Sequence, residues 1–155
     1  MQTKFNIVLL TPQIPNNTGN IGRLCVATNA ILHLIEPLGF ELSDKYLKRA
    51  GLDYWQHLEY YTYPSLEGFY AKHPDSNITY FSAKAENSFW DHTFHKNHFL
   101  FFGREADGLP VELRENLPKD CLVKIPFTGK VRSFNLANAV SIALFEAIRQ
   151  NSYEL

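Results

Sequence analysis

The chain has 155 residues, of which 45% are hydrophobic and 20% charged, and no stretch is dominated by a few residue types. This length and composition predict a single globular domain over residues 1–155 and exclude a largely disordered protein. The net charge of −1 argues against a protein that holds nucleic acid by its overall charge, so any RNA contact must come from a local basic surface.

The compartment expected for this chain is the cytoplasm. Its first residues, MQTKFNIVLL, pass directly into a strand-like run, without a long apolar segment followed by a cleavage site. No segment approaches the roughly eighteen apolar residues that a membrane helix needs. Cys25 and Cys121 lie in apolar surroundings without CxxC spacing, which predicts two buried, reduced thiols and therefore a reducing compartment.

The first elements in chain order predict a βαβ unit. Residues 5–10 and 31–35 are short apolar runs typical of strands, and residues 17–29 between them have helical spacing of apolar side chains. The polar side chains at 16–18 could cap the start of that helix, because asparagine and threonine oxygens accept hydrogen bonds from free backbone N–H groups.

The middle of the chain predicts a helix over residues 44–50, with Lys45, Lys48 and Arg49 on one face, either as a solvated surface or as an RNA contact. A short helix over 64–70 is followed by strands over 78–83 and 98–102. Both strands are continuously apolar, which indicates a sheet covered on both faces by helices.

The last elements are a helix over 110–116, a strand over 122–125 and a long helix over 135–150. Strands alternating with helices predict an α/β fold with a mainly parallel sheet. The last helix is apolar on a wider surface than one sheet contact needs, since Ile142 and Phe145 extend its apolar face. A second copy of the chain would account for this excess.

Three segments follow predicted strands, where open α/β sheets bind their ligands. They are residues 16–23, 102–110 and 125–139. Gly103 and Gly108 allow a sharp turn and close approach to a flat ligand, and Glu105 could accept hydrogen bonds from ribose hydroxyls or an amine. The same loop is equally compatible with an ordinary turn from a strand to a helix.

Other polar residues have two open interpretations each. Ser133, Asn135 and Asn138 could cap the last helix or face a ligand at its start. Arg23 lies on an apolar helix and should reach water, an anion or a surface ion pair. His92, His95 and His98 lack the pattern of ligands that a metal site needs, so a structural or surface role is favoured. Nicotinamide and ATP sites are disfavoured, because a GxGxxG motif and a phosphate-loop lysine are missing.

Taken together, the three segments resemble the SPOUT class of methyltransferases and, within it, the SpoU family. The resemblance covers nearly the whole chain through IVLLTPQIPNNTGNIGRLC, LHLIEPLGF, KRAGLDYW, FGREADGLP and IPFTGKVRSFNLANAVSIALFEAIRQ. It extends to the small TrmL (YibK) type, which methylates the ribose 2′-hydroxyl of the wobble pyrimidine in leucine tRNAs.

The resemblance implies a parallel sheet whose C-terminal part forms a deep trefoil knot. It implies S-adenosylmethionine as the methyl donor with no metal, and a homodimer that acts on the anticodon stem and loop of tRNA. Arg23 and Asn135 are implied as catalytic residues. The implied donor contacts are Phe81, Gly103, Glu105, Ile125, Ser133 and Leu136, and the implied RNA contacts are Lys45, Lys48, Arg49 and Arg132.

Two alternatives keep the same fold. One is a related enzyme that methylates another RNA, such as ribosomal RNA, and the other is a catalytically idle protein that binds RNA or senses the donor. The small size and the absence of an added RNA-binding domain favour tRNA over ribosomal RNA, and Arg23, Glu105, Ser133 and Asn135 argue against the idle protein.

Overall fold

The computed structural model describes residues 3–43, 54–151 and 155. These residues form one sheet of seven strands in the order β3-β2-β1-β6-β4-β7-β5, and every neighbouring pair is parallel. The strands are β1 Asn6–Leu10, β2 Ile31–Ile35, β3 Tyr60–Tyr63, β4 Ile78–Phe81, β5 Asn87–Ser88, β6 Phe99–Phe102 and β7 Leu122–Lys124. The described helices are α1 Pro15–Thr28, α2 Leu66–Lys72, α3 Val111–Asn116 and α4 Leu136–Gln150.

Apolar side chains fill both faces of the sheet, which confirms the predicted α/β architecture. Along β2, Leu32 and Leu34 belong to the core beneath α1 and α4, whereas Ile35 belongs to the core beneath α2 and α3. The central strands β1 and β6 are buried along their whole length. Each fully buried Leu, Ile or Phe contributes about 1.5–3 kcal/mol, so these two cores supply most of the driving force for folding.

The start of α1 differs from the prediction. The helix begins at Pro15, and its N-cap residue, Ile14, has no capping side chain. Proline suits the first helical position because its missing N–H would have no partner there in any case. The polar residues at 16–18 therefore lie inside the helix and do not cap it.

The caps of the two later helices follow ordinary rules. Ser65 accepts a hydrogen bond from the backbone N–H of Gly68 at the start of α2, at 3.0 Å. Asn135 accepts one from the backbone N–H of Asn138 at the start of α4, at 3.2 Å. The capping interpretation of Asn135 is thus confirmed.

Some predictions from the sequence were incomplete, wrong or concern residues that the structure does not describe. β3 and β5 were not predicted, and the predicted helix over 44–50 falls outside the described residues. Cys25 is buried and free as expected, but the prediction for Cys121 is wrong, because its thiol is only half-buried and lies 3.2 Å from the carbonyl oxygen of Pro118.

Within the described residues, no helix is both long and apolar enough to cross a membrane.

Candidate functional site

A cleft of about 490 Å³ opens at the carboxyl ends of β4, β6 and β7. Its walls come from the segments that follow these three strands and from the first turns of α3 and α4. All strands of a parallel sheet end at the same edge, which is why loops far apart in sequence meet here. The volume is within the range of sites that enclose a small ligand or cofactor.

The floor of the cleft is apolar. Phe81 and Phe102, from the neighbouring strands β4 and β6, lie with ring centroids 4.8 Å apart and nearly parallel, at 10°. Leu109, Ile125 and Leu136 are among the other apolar residues of the lining. Such a surface suits a flat ring, with polar groups at the margin fixing its orientation.

The loop after β6 closes on itself. The backbones of Arg104 and Gly108 exchange two hydrogen bonds of 3.1 and 2.9 Å, and Gly108 has a φ of +68°. A Cβ atom at position 103 would overlap the backbone of Gly108 and Leu109. The prediction of a tight glycine turn is therefore confirmed at both positions.

Glu105 is held by the start of α1. Its two carboxylate oxygens accept hydrogen bonds from the backbone N–H groups of Gln13 at 2.9 Å and Ile14 at 2.8 Å. The carboxylate thereby does for α1 what a capping side chain does for other helices, from a position 91 residues away in sequence. Charge-assisted hydrogen bonds of this kind are roughly twice as strong as neutral ones.

An asparagine pair connects the remaining segments. The Asn17 amide donates to Glu105 at 3.5 Å and accepts from the Asn135 amide at 3.2 Å. Asn135 in turn caps α4 through Asn138. The three motif segments identified in the sequence are thus joined by one chain of hydrogen bonds, in which Asn17 is a residue that the sequence analysis considered only as a cap.

The charged residues of the cleft are unevenly partnered. Arg104 and Asp107 form an ion pair with a nitrogen-to-oxygen distance of 2.6 Å, and Glu105 is occupied as described. Arg114 is half-buried in the lining, whereas Lys84 and Arg132 are exposed at it. The unpaired charge that faces the cleft is therefore positive.

The structure brings together one part of the predicted site. All six predicted donor contacts line the cleft, and so does Arg132. Arg23 and Asn135 are not among the lining residues; the exposed Arg23 places its guanidinium 5.2 Å from the ring centroid of Tyr54, in cation–π geometry. Lys45, Lys48 and Arg49 lie outside the described residues.

Away from the cleft, His33 lies on β2 in a chain of hydrogen bonds. Its Nε2–H donates to Asn6 Oδ1 at 2.9 Å, because that oxygen can only accept. Its Nδ1 therefore accepts from the Tyr63 hydroxyl at 2.8 Å, and Tyr63 accepts from His73 at 2.9 Å. Burial lowers the pKa of His33 to about 3.

A second network surrounds Thr79 on β4. The backbone N–H of His95 donates to His98 Nδ1 at 3.1 Å, which leaves His98 Nε2–H to donate to the Thr79 hydroxyl at 2.7 Å. Thr79 then donates to His92 Nε2 at 2.7 Å. Burial lowers the pKa of His98 to about 4. No group of three possible metal ligands was found among the described residues.

Residues 4–145 match the sequence model of the SpoU rRNA Methylase family. A tRNA (cytidine(34)-2′-O)-methyltransferase of Burkholderia cenocepacia is 43% identical over 152 residues, covering 97% of this chain and 97% of the relative. A solved structure described as giving insights into the 2-OH methylation of C/U34 on tRNA is 42% identical, with a TM-score of 0.91 and 97% of each chain covered. The SpoU methyltransferase AviRb of Streptomyces viridochromogenes, solved in complex with the cofactor AdoMet, is 25% identical, with a TM-score of 0.80 over 98% of this chain and 62% of that one.

Proposed function

The chain belongs to the SpoU rRNA methylase family, and from this premise we propose that it transfers a methyl group to the ribose 2′-hydroxyl of nucleotide 34 in tRNA. The observation that carries the proposal is the cleft, which is lined by two of the three motif segments, 102–110 and 125–139. The third segment, 16–23, is joined to them by the hydrogen bonds of Asn17 to Glu105 and Asn135. Relatives of nearly equal length support the substrate, since the Burkholderia protein is named for cytidine 34 of tRNA. The proposal includes the cytoplasm as compartment and leucine tRNAs as the substrates.

The proposed methyl donor is S-adenosylmethionine, which supplies an electrophilic methyl group when bound. The cleft fits this molecule: its volume is sufficient, and its apolar floor, with the stacked Phe81 and Phe102, suits an adenine ring. The residues proposed to hold the donor are Phe81, Gly103, Glu105, Ile125, Ser133 and Leu136. AviRb, a SpoU methyltransferase solved in complex with AdoMet, supports the choice of this donor. No metal takes part in the proposal.

The contribution of the protein to the reaction is mainly alignment. Methyl transfer is an in-line displacement, in which the bond between the 2′-oxygen and the methyl carbon forms as the bond from that carbon to sulfur breaks. S-adenosylhomocysteine leaves and the hydroxyl proton passes to solvent, so the 2′-oxygen must be held in line with the methyl group. In this proposal Asn135 supports the geometry through Asn17 and Glu105, which fix the start of α1 relative to the cleft.

Arg23 is proposed to bind the phosphate next to the target ribose and to stabilise the developing alkoxide. A guanidinium stays protonated in proteins and so does not serve as the base. Replacing it by lysine keeps the charge and loses the planar fork. We therefore expect Arg23→Lys to lower kcat by about tenfold or more, measured with tRNA binding monitored separately. Near-normal turnover with normal binding would contradict this role.

The proposed working unit is a homodimer of the single domain 1–155. Two features support it. Ile142 and Phe145 on α4 are 38% and 48% exposed although the opposite face of the helix is buried in the core, and such an apolar surface favours a protein partner. Arg23 also lies outside the cleft of its own chain, which fits a site shared by two subunits.

The proposed RNA contacts are Lys45, Lys48, Arg49 and Arg132, which would neutralise phosphates of the anticodon stem and loop. Each phosphate contact contributes to the dependence of binding on salt. We expect replacement of the first three residues by glutamine to reduce the slope of log K against log salt concentration for tRNA. An unchanged slope would remove these residues from the RNA surface.

The proposal also includes a trefoil knot in the C-terminal part. Its support is the strand order, in which β6 and β7 each lie between strands formed earlier in the chain, so that the sheet is not built by simple addition at its edges. Most protein chains avoid such threading.

The first experiment is transfer of labelled methyl from S-adenosylmethionine to unfractionated tRNA and, in a parallel reaction, to ribosomal RNA. Nuclease digestion and nucleoside mass spectrometry then identify the product. A 2′-O-methylated pyrimidine that maps to nucleotide 34 of leucine tRNA supports the proposal. Product on ribosomal RNA, with none on tRNA, would favour the alternative substrate. Donor binding without product on either RNA would favour an idle protein.

A further inference from the structure

We propose that Arg114 binds the carboxylate of the methionine part of the methyl donor and so distinguishes the complete donor from its adenosine portion. This inference rests on the proposed function. Arg114 was not a candidate in the sequence, because a lone arginine in a short polar helix has no distinguishing pattern. Its position in the fold gives it this role.

The placement of Arg114 follows from the packing of α3. Leu113 packs against the core on one face of the sheet, which fixes the rotation of the helix. Val111 and Arg114, three residues apart, share another face, and both line the cleft. The helix directly follows the closed loop at 103–109, so its orientation is set by the same backbone that forms the cleft wall.

The guanidinium of Arg114 is available for an anion. Both acidic residues of the cleft are engaged, Asp107 by Arg104 and Glu105 by the backbone of α1. Within the part of the chain that the structure describes, the side chain of Arg114 has no hydrogen bond or ion pair. A half-buried arginine that has no anionic partner loses part of its hydration without compensation, so an incoming anion is favoured there.

A carboxylate fits this position better than an RNA phosphate. Lys84 and Arg132 are exposed at the cleft and are accessible to a polynucleotide backbone, whereas Arg114 is half-buried inside the lining. The fork of an arginine matches a planar carboxylate through two parallel hydrogen bonds. The donor carries one carboxylate, at the end opposite its adenine ring.

The test compares two ligands by isothermal titration calorimetry. S-adenosylhomocysteine contains the amino-acid part, and 5′-methylthioadenosine has the same adenosine and a thioether without it. We expect Arg114→Gln to lower the affinity for S-adenosylhomocysteine by about tenfold, which is the effect of one charge-assisted hydrogen-bonded contact. The affinity for methylthioadenosine should not change. Arg114→Lys keeps the positive charge, so it should lower the affinity for S-adenosylhomocysteine less than Arg114→Gln does.

The matched control is Lys96→Gln, which removes one positive charge from an exposed position outside the cleft and should alter neither affinity. Equal weakening of both ligands by Arg114→Gln would overturn the inference in favour of a structural role. Unchanged S-adenosylhomocysteine affinity, with or without weaker tRNA binding, would also overturn it. If the unaltered protein binds neither ligand, the proposed donor itself is wrong, which separates that failure from a failure of Arg114.

Discussion

The interior of the sheet and the cleft at its edge both contain polar side chains among apolar ones. The two regions differ in whether these side chains have hydrogen-bond partners within the chain. In the interior, both ring nitrogens of His33 and of His98 and the Thr79 hydroxyl have hydrogen-bond partners within the chain. In the cleft, Arg114 and the exposed Lys84 and Arg132 face open space. Residue type therefore does not distinguish the two regions, since histidine is the commoner catalytic residue and here is structural.

This difference indicates that the functional site lies where polar side chains have no hydrogen-bond partner within the chain. A buried polar group whose partners are complete stabilises one conformation. A polar group of the cleft without an internal partner needs another explanation, and a ligand would supply one. Interior variants should accordingly change stability without changing ligand affinity, and cleft variants should change affinity. The following experiments test or sharpen this division, from the largest expected effect to the smallest.

The largest effect is expected for Gly103→Ala. The added Cβ overlaps the backbone of Gly108 and Leu109, which cannot move without opening the loop, so the free energy of unfolding should fall by about 3 kcal/mol or more. Binding of S-adenosylhomocysteine, measured by calorimetry, should be lost, and urea unfolding should report the loss of stability. Gly68→Ala is the control, because its Cβ would approach only the Ser65 hydroxyl, at 3.3 Å, and the Pro64 ring, at 3.9 Å. Normal binding by Gly103→Ala would show that the closed loop is not part of the site.

Thr79→Val tests the interior. The substitution removes the hydroxyl between His92 and His98 and leaves two ring nitrogens without a partner, which should cost about 2–3 kcal/mol of stability. The affinity for S-adenosylhomocysteine should not change. Thr62→Val, at an exposed position of β3, is the matched control in a urea melt. Weaker binding by Thr79→Val would break the division between interior and cleft.

Glu105→Gln asks whether a residue of the cleft also supports the fold. The amide keeps the shape of the carboxylate but loses its charge and one acceptor opposite Gln13 and Ile14. We expect a loss of about 1.5 kcal/mol in the free energy of unfolding, together with weaker ligand binding. Unchanged stability in a urea melt, with weaker binding, would mean that Glu105 acts on the ligand alone.

The last effect is a dependence of stability on pH, which is the smallest when it is expressed per pH unit. The pKa of His33 is lowered by burial to about 3, from 6.5 in the unfolded chain. Below about pH 6.5 the unfolded chain therefore binds protons first, and the free energy of unfolding falls as the pH falls, by up to about 1.4 kcal/mol per pH unit for this group. His33→Gln should make urea midpoints between pH 4.5 and pH 6.5 less sensitive to pH. An equal slope in both proteins would mean that His33 gains its proton readily in the folded state.

The sequence predicted the central strands and the long helices correctly, but it did not predict the edge strands β3 and β5. β1, α1 and α4 have strong apolar periodicity and lie within a few residues of their predicted bounds. β3 was missed because it is an edge strand in which Tyr61 and Thr62 are exposed, so it lacks the continuous apolar run that identifies a buried strand. β5 has only two residues, which is too short for any period to show. The strand order depends on long-range packing that no local pattern encodes.

The local features of the site were predictable from the sequence, but the hydrogen bonds that join its distant segments were not. The closed glycine loop and the cap at Asn135 follow from local rules of backbone conformation and helix ends. The capping of α1 by Glu105 does not, because donor and acceptor are separated by 91 residues and nothing in either segment specifies the other. For the same reason Asn17 was considered only as a local cap.

The bonds from Glu105 to residues 13 and 14 and from Asn17 to Asn135 also determine when the site can exist. A protein emerges from the ribosome amino end first, and α1 is made long before the residues that hold its start in place. Contacts between distant parts of a chain form late and slowly. A growing chain therefore has no cleft to offer until residues beyond 135 have emerged, so incomplete copies of the protein should neither bind the donor nor compete for its substrate.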